Sequence, residues 1–399
     1  MTQLGSKKSR RGCTQCKGRR VKCSEDSPCA NCTRRGEQCS LATPSLSTTS
    51  TSRPTDDAPS TSPEEWLQDM NLMHHYSTVV SQSPLLVRDG IAHIWREFVP
   101  REALKFDFLL HAMLALSALH LADQHTTDPD TVARYLRLCD RHQSIAIAAL
   151  RDALTAQFTP ENSGAFFALA ATTSVSSMAR STILAKLQQP TPFIGVDEIA
   201  EALTLTKGMR EVVGMTAGHT PISLMFTSYR MDAMQERYVQ LPAEILTRFA
   251  ALRELCEQQC GSVSSPAAIS TPSSASTSDP SNITDTLTPC LVALKELEDI
   301  YLNLRHFMGL SRVETGTIWR WAACLPLDFA RLITARHPVA LVIVAHFAAA
   351  TVVLRKAWYV QDWGHHALEG IERELEEGMR GWLEWPRECL KGEMAVLLT

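Results

Sequence analysis

Residues 12–40 read GCTQCKGRRVKCSEDSPCANCTRRGEQCS and hold six of the chain's twelve cysteines within 27 residues. Their spacing is C-x2-C-x6-C, then five residues, then C-x2-C-x6-C again. The stretch is therefore an internal repeat of two halves: Cys13, Cys16 and Cys23, then Cys29, Cys32 and Cys39. Because the N-terminus has no apolar signal-peptide core, we expect a reducing compartment, where clustered thiols are metal ligands rather than disulfides.

The number of sulfurs predicts how many ions they hold. Structural zinc takes four ligands in a tetrahedron, so two ions need eight bonds and two of the six thiolates must bridge. A single zinc on four cysteines would leave two spare and would not explain the repeat. The predicted cofactor is therefore two Zn²⁺. Three alternatives fit the cysteine spacing or the reducing compartment less well: a disulfide knot, a protein-binding zinc module and an iron–sulfur site.

The charge of the chain is unevenly distributed. Residues 1–40 carry ten Lys and Arg against three acidic residues, a net charge of +7. The whole chain has a net charge of −4, which leaves −11 for the other residues. Four cations lie between Cys16 and Cys23, where a short metal-pinned helix would present them in one direction. This pattern indicates double-stranded DNA as the partner, because Lys and Arg neutralise phosphates and read guanine edges.

The six-cysteine stretch resembles the fungal zinc binuclear cluster family of transcription factors over residues 10–40. The ligand assignment that this resemblance implies is Cys13 and Cys29 as bridges, Cys16 and Cys23 on one ion, and Cys32 and Cys39 on the other. It further implies a nuclear protein, with shuttling from the cytoplasm, that regulates RNA polymerase II transcription and contacts coactivators.

The resemblance also gives roles to the basic residues. Arg19 and Arg20 lie where the family reads a CGG-like triplet, and Lys17 and Lys22 lie near phosphates. The most familiar members carry a lysine pair where this chain has Arg19 and Arg20, and arginine suits guanine equally well. The predicted DNA contacts are Arg10, Arg11, Lys17, Arg19, Arg20 and Lys22.

Composition divides the chain into domains. We predict a basic tail (1–12), a zinc binuclear cluster DNA-binding domain (13–40, the head), a disordered Ser/Thr/Pro linker (41–62) and a large all-α effector domain (63–399, the body). A second low-complexity stretch, at about 261–282, predicts a disordered insertion. No leucine heptad lies between Cys39 and Trp66, so a homodimer should form through the body.

The body has helical periodicity throughout. Its first helix should begin with Ser62 as N-cap and Pro63 at the first helical position. The apolar run Pro338–Leu354 is short for a membrane span and favours a buried helix in a soluble protein, with His346 as a core histidine. Cys256 and Cys260, four apart with no second pair, are interpreted as ordinary thiols.

The body resembles the sterol uptake control branch of the same family in three stretches, 72–80, 108–122 and 325–349. This resemblance implies a helical domain that holds a hydrophobic ligand such as a sterol. The apolar helices at 108–122 and 339–354 predict a pocket between helices, with Ala345 facing it. The alternative is a helical dimerisation and coactivator scaffold without ligand, for example in a regulator of secondary metabolism. No catalytic motif is present, so we predict no enzyme.

Overall fold

The computed structural model describes residues 12–41, 62–83, 93–154, 159–188, 190–216, 240–260, 285–308 and 315–393. The chain divides into two compact units, Met1–Thr61 with the head and Ser62–Thr399 with the body. Within the described residues every regular element is helical, which confirms the predicted all-α body. Residues 1–11 of the tail (with Arg10 and Arg11), 42–61 of the linker and the insertion at 261–282 lie outside the described residues.

The head contains two short helices, α1 (Thr14–Gly18) and α2 (Ala30–Arg35), and each begins directly after a cysteine. Cys13 is the N-cap of α1, and its sulfur accepts the backbone N–H of Cys16 at 3.3 Å. Gly36 ends α2 in the left-handed conformation, with a φ of 64° that favours glycine. The repeat seen in the sequence is thus also a repeat of structure.

The body has helices of which most are longer than the two helices of the head. Its α-helices within the described ranges are α3 (Pro63–Thr78), α4 (Val99–Ala103), α5 (Asp107–Gln124), α6 (Pro129–Leu154), α7 (Pro160–Lys186), α8 (Val196–Thr216), α9 (Ala243–Cys260), α10 (Leu287–Met308), α11 (Thr315–Cys324), α12 (Leu327–Thr334), α13 (Pro338–Ala350), α14 (Trp363–Glu374), α15 (Glu377–Arg380) and α16 (Glu384–Glu388). Helix α5 packs against α3, α6 and α7, and α7 also packs against α8. Helix α13 contacts α9, α10, α12, α14 and α16, and therefore lies at the centre of a second group of helices.

Helix α3 begins as its sequence predicts. The Ser62 hydroxyl accepts the backbone N–H of Glu65 at 3.2 Å, and the Glu65 carboxylate accepts the backbone N–H of Ser62 at 3.0 Å. Pro63 occupies the first helical position, where its missing N–H has no partner to lose. This reciprocal capping box confirms the predicted start of the body's first helix.

Helix α13 is buried along its whole length. Every residue from Val339 to Ala350 is buried, and the Phe347 ring stacks on Trp321 with centroids 4.2 Å apart. His346 is the expected core histidine, because its Nδ1 donates to the Val342 carbonyl at 2.8 Å. The predicted pocket beside Ala345 is wrong, since this side chain is 0% exposed and does not line a described cavity. The helix is apolar on all sides because neighbouring helices cover it on all sides.

No single helix in the described part of the chain is long and apolar enough to cross a membrane. One pair, Leu327–Thr334 with Pro338–Leu354, satisfies the length and composition together, and its two parts are bent by 103°. The second part of this pair contains α13, which the body buries.

Candidate metal centre and nucleic-acid interface

Four sulfurs of the head meet in its interior. The sulfur of Cys13 lies 3.6 Å from that of Cys29 and 3.6 Å from that of Cys32, and the sulfurs of Cys16 and Cys29 are 3.7 Å apart. All four lie within 4.8 Å of one another and are buried. Thiolates on one tetrahedral zinc are about 3.8 Å apart, so these sulfurs are spaced as zinc ligands are.

Burial makes these thiols poor acids without a cation. Desolvation raises the pKa of the Cys16 thiol to about 12 and also raises the pKa of Cys32. Metal binding requires the thiolate form, which a cation at the centre of the four sulfurs would stabilise. Since the six cysteines, with Leu41 packed on them, are the head's buried cluster, little else holds the head together.

The last cysteine of each half accepts an equivalent backbone hydrogen bond. The sulfur of Cys23 accepts the backbone N–H of Cys13 at 3.4 Å, and that of Cys39 accepts the backbone N–H of Cys29 at 3.3 Å. These hydrogen bonds lower the pKa of Cys23 and lower that of Cys39 to about 7. Both halves therefore place a thiol of lowered pKa beside the N-cap cysteine of their helix.

The basic residues of the head divide into two kinds. Lys17, Arg20 and Lys22 are exposed, and Arg20 has a positive φ of 56°. Arg19 is half-buried, its guanidinium lies 2.6 Å from the Glu37 carboxylate, and its Nε donates to the Gln15 carbonyl at 3.2 Å. The family resemblance implies one role for Arg19 and Arg20, whereas their surroundings in the structure differ.

A cavity of about 610 Å³, open to solvent, lies among α5, α6, α7 and α8. Its apolar wall includes Ala115, Ala146 and Leu169, and α7 adds hydroxyl groups such as that of Ser176. Charged groups also line it, among them Arg180, which pairs with Asp140 at 2.6 Å. The lining of the cavity therefore combines apolar side chains with hydroxyl and charged groups. The family resemblance over residues 108–122 indicated the helix that forms one wall of this cavity. Helical periodicity alone did not predict the cavity.

A second cluster of metal-ligating groups lies in the body. The sulfurs of Cys260 and Cys290 and a ring nitrogen of His337 all lie within 4.8 Å of one another. The interpretation of Cys260 as an ordinary thiol considered only its neighbour Cys256. Sequence spacing could not reveal the cluster, because its three members come from different helices.

Two protein-family models match the chain. The fungal Zn(2)-Cys(6) binuclear cluster domain matches residues 11–48, and the fungal specific transcription factor domain matches residues 71–184. The first match contains all six clustered cysteines, and the second contains most of the helices around the 610 Å³ cavity. Both agree with the predicted order of a zinc-cluster head and a helical body.

The chain is similar in sequence to three curated proteins. The chain is 33% identical to the Zn(2)-C6 fungal-type transcription factor afumD of Aspergillus fumigatus over 37% of this chain and 43% of that protein. It is 24% identical to a Zn(2)-C6 fungal-type transcription factor of Gibberella zeae over 95% of this chain and 85% of that protein. Sterol uptake control protein 2 of Saccharomyces cerevisiae is 32% identical over 29% of this chain and 12% of that protein. The first of these alignments thus spans less than half of the relative's length.

Proposed function

Because this chain belongs to the fungal Zn(2)-Cys(6) transcription factor family, we propose that it regulates RNA polymerase II transcription by binding a specific double-stranded DNA site through its head. Membership confirms the predicted pair of zinc ions and the prediction that the chain is not an enzyme. It also implies a nuclear location. Entry from the cytoplasm and recruitment of coactivators are parts of the proposal.

The proposed ligand assignment uses all six clustered cysteines. Cys13 and Cys29 would bridge both ions, in keeping with their place as N-caps of the two repeated helices and their 3.6 Å separation. The non-bridging ligands are Cys16 and Cys23 on one ion, and Cys32 and Cys39 on the other. Zinc supplies the cross-links and the positive charge that stabilise a head too small to fold around an apolar core.

The proposed DNA surface is the exposed basic side of the first half. Lys17 and Lys22 neutralise phosphates, and Arg20 reads guanine in a CGG-like site. Arg19 joins the readout when its ion pair with Glu37 opens, and Arg10 and Arg11 of the tail add backbone contacts. The observation that carries the proposal is the juxtaposition of a buried six-sulfur cluster with exposed cations on the same short repeat.

An unbiased selection from random duplexes by the full chain tests this function. The proposal expects enriched sites that share a CGG-like triplet. The control is the Arg20→Ala variant, which should enrich sites with a relaxed preference at one base of that triplet. Enrichment of no common sequence by the unaltered chain would count against it.

We further propose that the body binds a hydrophobic molecule, such as a sterol, in the cavity among α5 to α8. The support is the cavity's volume of about 610 Å³, in the range of small-molecule sites, and its lining of apolar side chains together with hydroxyl and charged groups. The partial likeness to Sterol uptake control protein 2 favours this ligand class. Binding would alter activity through a difference in affinity between two conformations of the body.

The competing function is a helical scaffold that dimerises and contacts coactivators without a ligand. Thermal melting of the full chain with and without sterols separates the two, because a ligand that binds only the folded state raises the midpoint. If no lipid raises the midpoint and mass spectrometry finds none carried through purification, the scaffold function replaces the sensor. Homodimerisation through the body belongs to either function.

A further inference from the structure

The cluster of Cys260, Cys290 and His337 joins three separate elements of the body. Cys260 is the last residue of α9, Cys290 lies in the first turn of α10, and His337 is the N-cap of α13. The two thiols are 6% and 0% exposed. Their sulfurs and a ring nitrogen of His337 lie within 4.8 Å of one another. Cysteine and histidine are the ligands that zinc prefers, so the three groups form a metal-ligating set.

One ring nitrogen of His337 lacks a hydrogen-bond partner among the described residues. This atom, Nδ1, is buried. The side chain does not cap α13, and the backbone is fixed by hydrogen bonds to Leu332 (2.9 Å) and from Leu341 (3.0 Å). A buried nitrogen without a partner is unfavourable. A cation bound to the imidazole would provide an interaction that the described residues do not supply.

We propose that the body binds a third Zn²⁺ through Cys260, Cys290 and His337. On a tetrahedral zinc these ligand atoms would lie about 3.5–3.8 Å apart, so only a small contraction is needed. The fourth position is left to a solvent-derived ligand, because the His337 side of the site is only half-buried. The ion joins the end of α9 to the starts of α10 and α13.

Metal content of the full chain tests the site independently of the head. We expect three zinc ions per chain, measured by mass spectrometry of the metal after removal of loosely bound ions. Cys260→Ser and His337→Gln should each retain two, one fewer than the unaltered chain. The matched control Cys139→Ser, which changes another fully buried thiol of the body, should retain three.

A ligand-preserving variant separates metal binding from folding. His337→Cys should keep three zinc ions, because thiolate replaces imidazole as a ligand, whereas His337→Gln loses one. Circular dichroism and gel filtration verify that each variant is folded. Equal zinc content in the unaltered chain, Cys260→Ser and His337→Gln would overturn the proposal, as would a disulfide between Cys260 and Cys290 in the purified chain.

Discussion

The guanidinium of Arg19 lies 2.6 Å from the carboxylate of Glu37 and thereby links the first half of the head to the second. Arg20, the next residue, is exposed. The two adjacent arginines, for which the same role in DNA binding is proposed, therefore differ in the free protein. On the proposed DNA surface Arg20 would be available directly, whereas Arg19 would have to exchange its carboxylate partner for a base or a phosphate.

Base reading and phosphate contact should separate in the head. Arg20→Ala should cost about 1–3 kcal/mol of DNA-binding free energy and relax the preference at one base of the site. Lys17→Ala should weaken binding to all sequences alike and reduce the slope of log affinity against log salt by about 0.9. Fluorescence anisotropy with specific and scrambled duplexes at several salt concentrations measures both. Equal effects of Arg20→Ala on every duplex would remove Arg20 from base reading.

Two alanines distinguish the cavity from the solid core. Ala146→Trp should fill the cavity and abolish any rise in melting temperature caused by a bound lipid, while the body remains folded. Ala345→Trp is the contrasting variant and should unfold the body with or without lipid, because α13 has no space beside it. A full lipid response in Ala146→Trp would place the ligand elsewhere.

Buried histidines should make the body acid-sensitive. Burial lowers the pKa of His346 from 6.5 to about 4, so the folded state takes up its proton only at lower pH than the unfolded state. The stability contributed by neutral His346 is complete above pH 6.5. As the pH falls from 6.5 towards 4, the free energy of unfolding should decrease by about 3 kcal/mol. His120 and His142 act in the same direction, since burial lowers their pKa values to about 4 and about 3.

Denaturant unfolding at several pH values checks this expectation. His346→Gln, which can still donate to the Val342 carbonyl, should flatten the loss of stability between pH 6.5 and 4. An unchanged pH dependence in that variant would show that His346 does not carry this proton linkage.

Two glycines should respond oppositely to alanine. A Cβ on Gly370 would overlap the backbone carbonyl of Ile194, so Gly370→Ala should destabilise the body by about 1–3 kcal/mol. A Cβ on Gly378 meets nothing within 4 Å, and Gly378→Ala should leave stability unchanged or raise it by up to about 1 kcal/mol. Denaturant unfolding of both variants measures the two changes in the free energy of unfolding. Similar effects at both positions would mean that α14 and the Ile194 segment are not in close contact.

The sequence predicted some features well because their causes are local. The six cysteines, the capping box at Ser62 and the helical periodicity of the body all depend on residues close together in the chain. The resemblance of the cysteine repeat to a known family then supplied the chemistry of the head.

Other features depend on contacts between distant residues, and the sequence could not reveal them. The cavity among α5 to α8 and the cluster at Cys260 arise only when separate helices pack together. Apolar composition misplaced the pocket at Ala345 because a wholly buried helix and a pocket wall have the same composition. The Arg19–Glu37 pair crosses 18 positions and has no pattern of its own.

The proposed function requires zinc-dependent, sequence-specific DNA binding by the full chain. The deciding measurement is a titration of a duplex with a CGG-like site and of a scrambled duplex, before chelation, after chelation and after zinc is restored. We expect binding to the specific duplex to be at least about 10³-fold tighter than to the scrambled one, to be lost on chelation and to return with zinc. Equal affinity for the two duplexes, or specific binding that survives removal of all zinc, would contradict it.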